Sequence, residues 1–384
     1  MKNLVKLTQF DKSLVRVPPI AVFFEFGEQL DVDQLYASVL RTLKLFPTFS
    51  AKFIYDGEFY LRYIPNYFGF KVFKSLEKNF FLSSHINTEI KDLCVLGVPN
   101  VIEQPVLNIF VTQKANGAQL TINLSHGVAD GASLKLFVFQ LFSFFKKKNI
   151  QIVPFCQKKI HLDESDEIID TQSTIEKYSF RNGYFNEIII PFAKVKNIYK
   201  EICLSNGTEN LKLHDIVACL LLKSLAVQLS HNNENVNFII PIDIRNLHRA
   251  LNSYYVGNGF VEAFCSWNLK DLLSLDLIEM ALKIRQGINK FSDSSFLNAK
   301  VTMAENGLSF EKFSENELHG FAYDKFVTLT SLGRGNSFLS ISESEKIGIL
   351  ADNSYGITVF RIDLDYVVNI TSPNRITNFN LLEG

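Results

Sequence analysis

Ser125-His126-Gly127-Val128-Ala129-Asp130-Gly131 combines an imidazole, a carboxylate and two glycines in one short stretch. Histidine is the side chain whose ordinary pKa suits proton transfer near neutral pH. Held beside a hydroxyl or an amine, it can take the proton that makes such a group a poor nucleophile. The spacing alone leaves other readings open. A histidine after a strand is more often a satisfied core or surface group, and Asp130-Gly131 is a sufficient helix N-cap without any chemistry. Metal ligation is disfavoured. His126 and Asp130 are four apart, but Gly127 and Gly131 argue against a helix here, and no HExxH pattern or cysteine cluster adds ligands.

The elements on either side say how His126 would be held. Residues 119–125 alternate in polarity and predict a strand with one buried face. Residues 132–145 are apolar over too long a run for a typical strand and predict a buried helix. Residues 107–113 and 119–125 flank Asn116-Gly117, a hairpin signal, so a hairpin delivers His126 to a loop between two rigid elements.

Further back, residues 20–26 read as a strand. Asp31 caps the next helix, with Gln34 completing a capping box. Leu35, Val39, Leu43 and Phe46 recur at helical spacing until Pro47 ends the run. Tyr55-Asp56-Gly57-Glu58 reads as a tight hairpin. Lys146-Lys147-Lys148 suits the negative end of the Phe-rich helix, with contact to nucleotide phosphates as the other use. From there to about Ser179 the chain is polar and charged and reads as a crossover. Beyond it, strands are expected over 187–191, 236–242, 326–331 and 357–364, and helices over 195–204, 215–229 and 272–288. Interleaved helices and hairpins imply an α/β fold with a mixed sheet in each half.

Composition sets bounds. A chain of 384 residues is long enough for two lobes, and 47% hydrophobic content is globular. A net charge of −1 gives no reason to expect nucleic acid as a partner. A plain core explains most of the 35 phenylalanines, and an apolar tunnel is a use for the remainder. Cys94, Cys156, Cys203, Cys219 and Cys265 are scattered and odd in number, as in reduced intracellular thiols. No stretch has the length and apolarity of a membrane span or a secretory signal, so a cytoplasmic location is expected.

The string His126-Gly127-Val128-Ala129-Asp130-Gly131 resembles the HxxxDG signature of the CoA-dependent acyltransferase superfamily. That group holds chloramphenicol acetyltransferase, alcohol acetyltransferases, polyketide-associated and BAHD acyltransferases, and condensation domains. Further segments fall in the right order. Leu7-Thr8-Gln9-Phe10-Asp11, then Leu30 to Leu35 and Leu45-Phe46-Pro47, resemble the superfamily's opening. Pro241-Ile242-Asp243-Ile244-Arg245 with Tyr255-Val256-Gly257-Asn258-Gly259 resembles its "vDxR … yxGN" segment. Val327 to Gly333 resembles its "TNLG" strand. Three departures stand out. Ser125 replaces the first of two consecutive histidines, Ser331 replaces Asn in the late strand, and the plant-type DFGWG motif is missing.

The resemblance implies two chloramphenicol acetyltransferase-like lobes, each a mixed sheet with flanking helices, and a tunnel between them. Residues 1–150 would form the first lobe, 151–180 a linker and 181–384 the second. It implies an acyl group moved from acyl-CoA to a hydroxyl or amine by direct attack, with His126 as general base and no acyl-enzyme. Asp130 and Arg245 would form a structural ion pair. Gly131 would allow close backbone approach, Ser331 is the candidate oxyanion donor, and Asn258 either lines the tunnel or is structural. No metal or permanently bound cofactor is implied. The rival readings are a condensation-type enzyme taking its donor from a carrier protein, and a non-catalytic binding protein that keeps the fold.

Overall fold

The computed structural model describes residues 4–15, 17–74, 88–96, 104–148, 152–154, 182–206, 210–229, 235–248, 251–305, 326–334, 342–344, 346–350 and 355–376. The expected linker, apart from residues 152–154, and Cys156 lie outside them. The described residues form fifteen strands and eight α-helices. The first half runs β1 (Leu4–Lys6), α1 (Gln9–Leu14), β2 (Ile20–Phe26), α2 (Val32–Leu43), β3 (Ala51–Asp56), β4 (Glu58–Tyr63), β5 (Gly69–Lys74), β6 (Thr88–Glu89), β7 (Leu107–Lys114), β8 (Gly117–Leu124) and α3 (Gly131–Phe145). The second half runs β9 (Tyr184–Pro191), α4 (Phe192–Asn206), α5 (Leu213–Leu229), β10 (Asn235–Asp243), β11 (Phe260–Asn268), α6 (Leu269–Ser274), α7 (Leu277–Asn289), α8 (Ser294–Glu305), β12 (Phe326–Arg334), β13 (Lys346–Leu350), β14 (Tyr355–Ile362) and β15 (Asp365–Ser372).

These strands build a five-stranded sheet in the order β13-β2-β8-β7-β5 and a seven-stranded sheet in the order β11-β10-β12-β14-β15-β9-β6. Both are mixed: β5 runs parallel to β7, and β12 parallel to both β10 and β14, within otherwise antiparallel ladders. A small sheet, β1-β4-β3, sits beside them. Each large sheet takes an edge strand from the other half of the chain, β13 in one case and β6 in the other. The expected α/β fold with a mixed sheet in each lobe is what forms.

β2 is buried at every position because both of its faces are covered. Val22, Phe24 and Phe26 enter the first lobe's core with Leu120, Ile122, Leu124, Phe137 and Phe142. Ala21 and Phe23 point the other way, into a smaller cluster that includes Phe185 of β9 and Leu350 of β13, where the two sheets meet. A strand covered on both faces reads as a continuous apolar run rather than an alternating one. The second core gathers α5 and α7 over β10, β11, β12, β14 and β15.

Local details depart from expectation in four places. Asp31 accepts the Gln34 amide at 2.9 Å, but the Gln34 side chain does not complete the box; it donates to the Phe145 carbonyl at the end of α3. A reciprocal capping box forms at Thr8 and Asp11 instead. The helix expected over 272–288 is two, α6 and α7, because Asp276 accepts the Glu279 amide and starts a new N-terminus. The β7–β8 turn uses Ala115 and Asn116, with Gly117 already paired to Lys114. Lys146 and Lys148 reach the Glu343 carboxylate at 2.8 and 3.4 Å.

Candidate active site

β8 ends at Leu124, and the next residue is pinned at once: the Ser125 amide donates to the Val106 carbonyl at 2.8 Å. The Ser125 hydroxyl accepts the Gly127 amide at 3.3 Å, and the Val128 amide closes the turn onto the Ser125 carbonyl at 3.2 Å. The residue that departs from the double-histidine pattern therefore braces the loop. Gly127 is demanded by space. A Cβ there would lie 2.8 Å from the Phe53 ring and from Val15 Cγ2, and 3.0 Å from the Val15 backbone. With the chain fixed on both sides of it, His126 keeps 9% of its surface exposed, and its ring centroid lies 5.7 Å from that of Phe260. It is tightly surrounded, and its Nδ1 is buried.

Asp130 caps α3 and also anchors the loop across the lobes. Its Oδ1 accepts the Ser133 amide at 2.9 Å and Arg245 Nη2 at 2.7 Å; its Oδ2 accepts the Gly259 amide and Arg245 Nη1, both at 2.9 Å. The two readings of Asp130, helix cap and ion-pair partner, hold together. All four acceptor directions are used, so this carboxylate is committed to Arg245 and the main chain rather than to orienting the imidazole. Burial pushes the Asp130 carboxyl up, but the guanidinium charge and the four hydrogen bonds outweigh it and hold the carboxyl below the usual range.

Arg245 is 2% exposed, which excludes a solvated surface arginine. Besides Asp130 it donates to the carbonyls of Tyr255, Gly257 and Gly259, to the Ser133 hydroxyl and to Asp243. Burial works against its charge, yet the Asp130 carboxylate raises its pKa further. Gly257 sits at φ +148°, where a side chain would strain the backbone. Its carbonyl accepts from the Ser133 hydroxyl and its amide donates back to that hydroxyl, at 2.9 and 3.0 Å.

The remaining candidates fall in different places. Asn258 follows directly: its Nδ2 donates to the His126 carbonyl at 2.8 Å and to Asp11 Oδ1 at 3.0 Å. Gly131 is the first residue of α3, where helix amides have no partner within the helix. Ser331 lies on β12, in register with Val359 of β14, just before the pairing shifts toward Arg334. Its side chain is outside the described residues. His126, Asp130, Arg245 and Asn258 are thus tied into one hydrogen-bonded unit. Ser133, Gly259 and Asp11 belong to it too, Phe260 packs on the His126 ring, and all four were missed. Ser133 alone carried a local signal, standing three residues after a capping aspartate.

The chain matches the model of the Transferase family over residues 82–335, which span the HxxxDG loop, Arg245 and Asn258. It belongs to that Transferase family. No curated protein matches it in sequence. Among solved structures, this Transferase-family chain is similar to F. sporotrichioides TRI101, solved with coenzyme A and T-2, at 12% identity and a TM-score of 0.67, covering 96% of this chain and 94% of that one. It is similar to vinorine synthase at 13% identity and a TM-score of 0.68, covering 95% and 89%. It is similar to polyketide synthase associated protein 5 from Mycobacterium tuberculosis at 14% identity and a TM-score of 0.59, covering 97% and 94%. These likenesses establish the two-lobed fold, and with the family match they bear out the resemblance to the CoA-dependent acyltransferase superfamily.

Proposed function

We propose that this protein transfers an acyl group from acyl-CoA to a hydroxyl or amine acceptor, with His126 as the general base. One observation carries the reading. His126 is held on both sides, by Asn258 on its carbonyl and by the Asp130–Arg245 pair four residues on, while the residue as a whole keeps 9% of its surface exposed. A fixed base is what proton transfer needs, since positioning supplies much of the rate. A similar fold solved with coenzyme A supports the choice of donor.

In this reading the acceptor enters against His126, which takes its proton as the oxygen or nitrogen attacks the thioester carbonyl. The carbonyl oxygen becomes a tetrahedral oxyanion, met by donors among which Ser331 and the Gly131 amide are candidates. Collapse expels the CoA thiolate, and the proton on His126 returns to that sulfur. No acyl-enzyme forms. The lobes meeting at this site would be residues 1–150 and 181–384.

The test is release of free thiol from a panel of acyl-CoAs mixed with alcohols and amines. His126→Ala should lower turnover by about 10²- to 10⁴-fold, the usual contribution of a general base. Wild-type turnover that survives the substitution would end the reading. Turnover only with an acylated carrier protein would move the donor from CoA to that protein.

A further inference from the structure

Asp11 is 4% exposed, although it lies in the six-residue α1 near the start of the chain. Its Oδ2 accepts from the Thr8 amide at 3.2 Å and the Thr8 hydroxyl at 2.8 Å, which is the helix cap. The cap leaves Oδ1 for another use, and it accepts Asn258 Nδ2 at 3.0 Å. The same amide nitrogen donates to the His126 carbonyl at 2.8 Å, so its two hydrogens are shared between Asp11 and the His126 main chain. A carboxylate from the first turn of the chain thereby fixes which way the Asn258 amide faces.

The surroundings of α1 point to the same place. Phe10, Leu14 and Val17 pack with Phe260. The Phe10 and Phe260 rings are 5.1 Å apart, and Phe260 in turn lies against the His126 ring. Val15, the C-cap of α1, occupies the space where a side chain on Gly127 would stand. The carbonyl of His126, its ring and its next residue are therefore all reached from residues 10–17, directly or through one partner.

We propose that α1 is a positioning clamp for His126 and that Asp11, acting through Asn258, is a positioning residue for the acyl transfer proposed above, on which this inference rests. Asp11 takes the Asn258 side chain on its Oδ1. It holds the amide that holds the main chain, and so sets the angle at which the imidazole meets the acceptor. Small misplacements of a base are costly in rate while leaving donor binding intact.

The test compares Asp11→Ala, Asp11→Asn and Arg285→Ala in the full chain. Asp11→Ala should lower kcat on the order of 10- to 10²-fold, with KM for the acyl-CoA donor little changed. Asp11→Asn keeps an oxygen for Asn258 and should recover most of that loss. Arg285→Ala breaks a pair between α7 and Asp215 of α5, and should lower the melting temperature while leaving kcat near wild type. The ring resonance of His126, followed by NMR, should move in Asp11→Ala and stay in Arg285→Ala. An unchanged kcat in Asp11→Ala, no recovery in Asp11→Asn, or an equal fall in Arg285→Ala would each overturn the clamp. If the wild type releases no thiol from any donor, the acyl-transfer reading fails by itself, and the NMR shift still decides the clamp.

Discussion

Arg245→Ala removes the guanidinium that spans the two lobes. Asp130 would keep only the Ser133 and Gly259 amides, and the carbonyls of Tyr255, Gly257 and Gly259 would each lose a donor. With both partners at 5% exposure or less, the loss is that of a broken buried pair, about 3–5 kcal/mol. That is a large share of the roughly 5–15 kcal/mol that stabilises a typical domain. The measurement is the urea midpoint at neutral pH, read at constant slope. Its pH dependence tests the cause. In the wild type the Asp130 carboxyl is held below its unfolded value, so its stabilisation is complete above about pH 5 and is lost as pH falls through the folded pKa. In Arg245→Ala the guanidinium no longer offsets burial, the carboxyl rises, and the folded state gains by taking up a proton. The penalty of the substitution should therefore shrink as pH falls from about 6 toward 4. A penalty under about 1 kcal/mol, or one that grows in acid, would refute the account of this pair as buried and mutually dependent.

Three further outcomes follow from the packing and ion pairs of the chain. Gly127→Ala should cost about 1–3 kcal/mol by overpacking against Val15 and Phe53, seen as a lower urea midpoint. Arg285→Ala should cost about 3–5 kcal/mol in the same assay, because Asp215 is fully buried and takes a two-pronged bond from Arg285 at 2.6 and 2.9 Å. Cys219 has no exposed surface, and burial pushes its thiol well above the ordinary range; iodoacetamide should leave it unlabelled in the native protein and modify it in urea, as peptide mass spectrometry would report.

The loop around His126 was legible because its signals are local: an alternating strand, glycines where a side chain will not fit, a capping aspartate and a long apolar helix. β2 and α2 were legible for the same reason. What escaped depends on partners far along the chain. Gln34 has the spacing of a capping box, yet it bonds Phe145 because α2 lies beside α3. Asp276 was hidden inside a sequence apolar enough to read as one helix. Asp11 and Phe260 carry no local sign of their role, since one reaches Asn258 and the other the His126 ring only after the halves dock. Arg245 needed the family pattern, because nothing in residues 241–245 says whether it will be solvated or buried.

The exchange of edge strands between the large sheets has a mechanical consequence. Residue 25 of β2 is paired with residue 346 of β13, and Phe185 of β9 with Thr88 of β6, so each half clasps the other through backbone ladders. The halves cannot swing apart like jaws without tearing those ladders. During folding the edge of β2 stays open until a segment made more than three hundred residues later arrives, and contacts so distant in sequence form slowly. For that interval the nascent chain presents a bare strand to any neighbour able to pair with it.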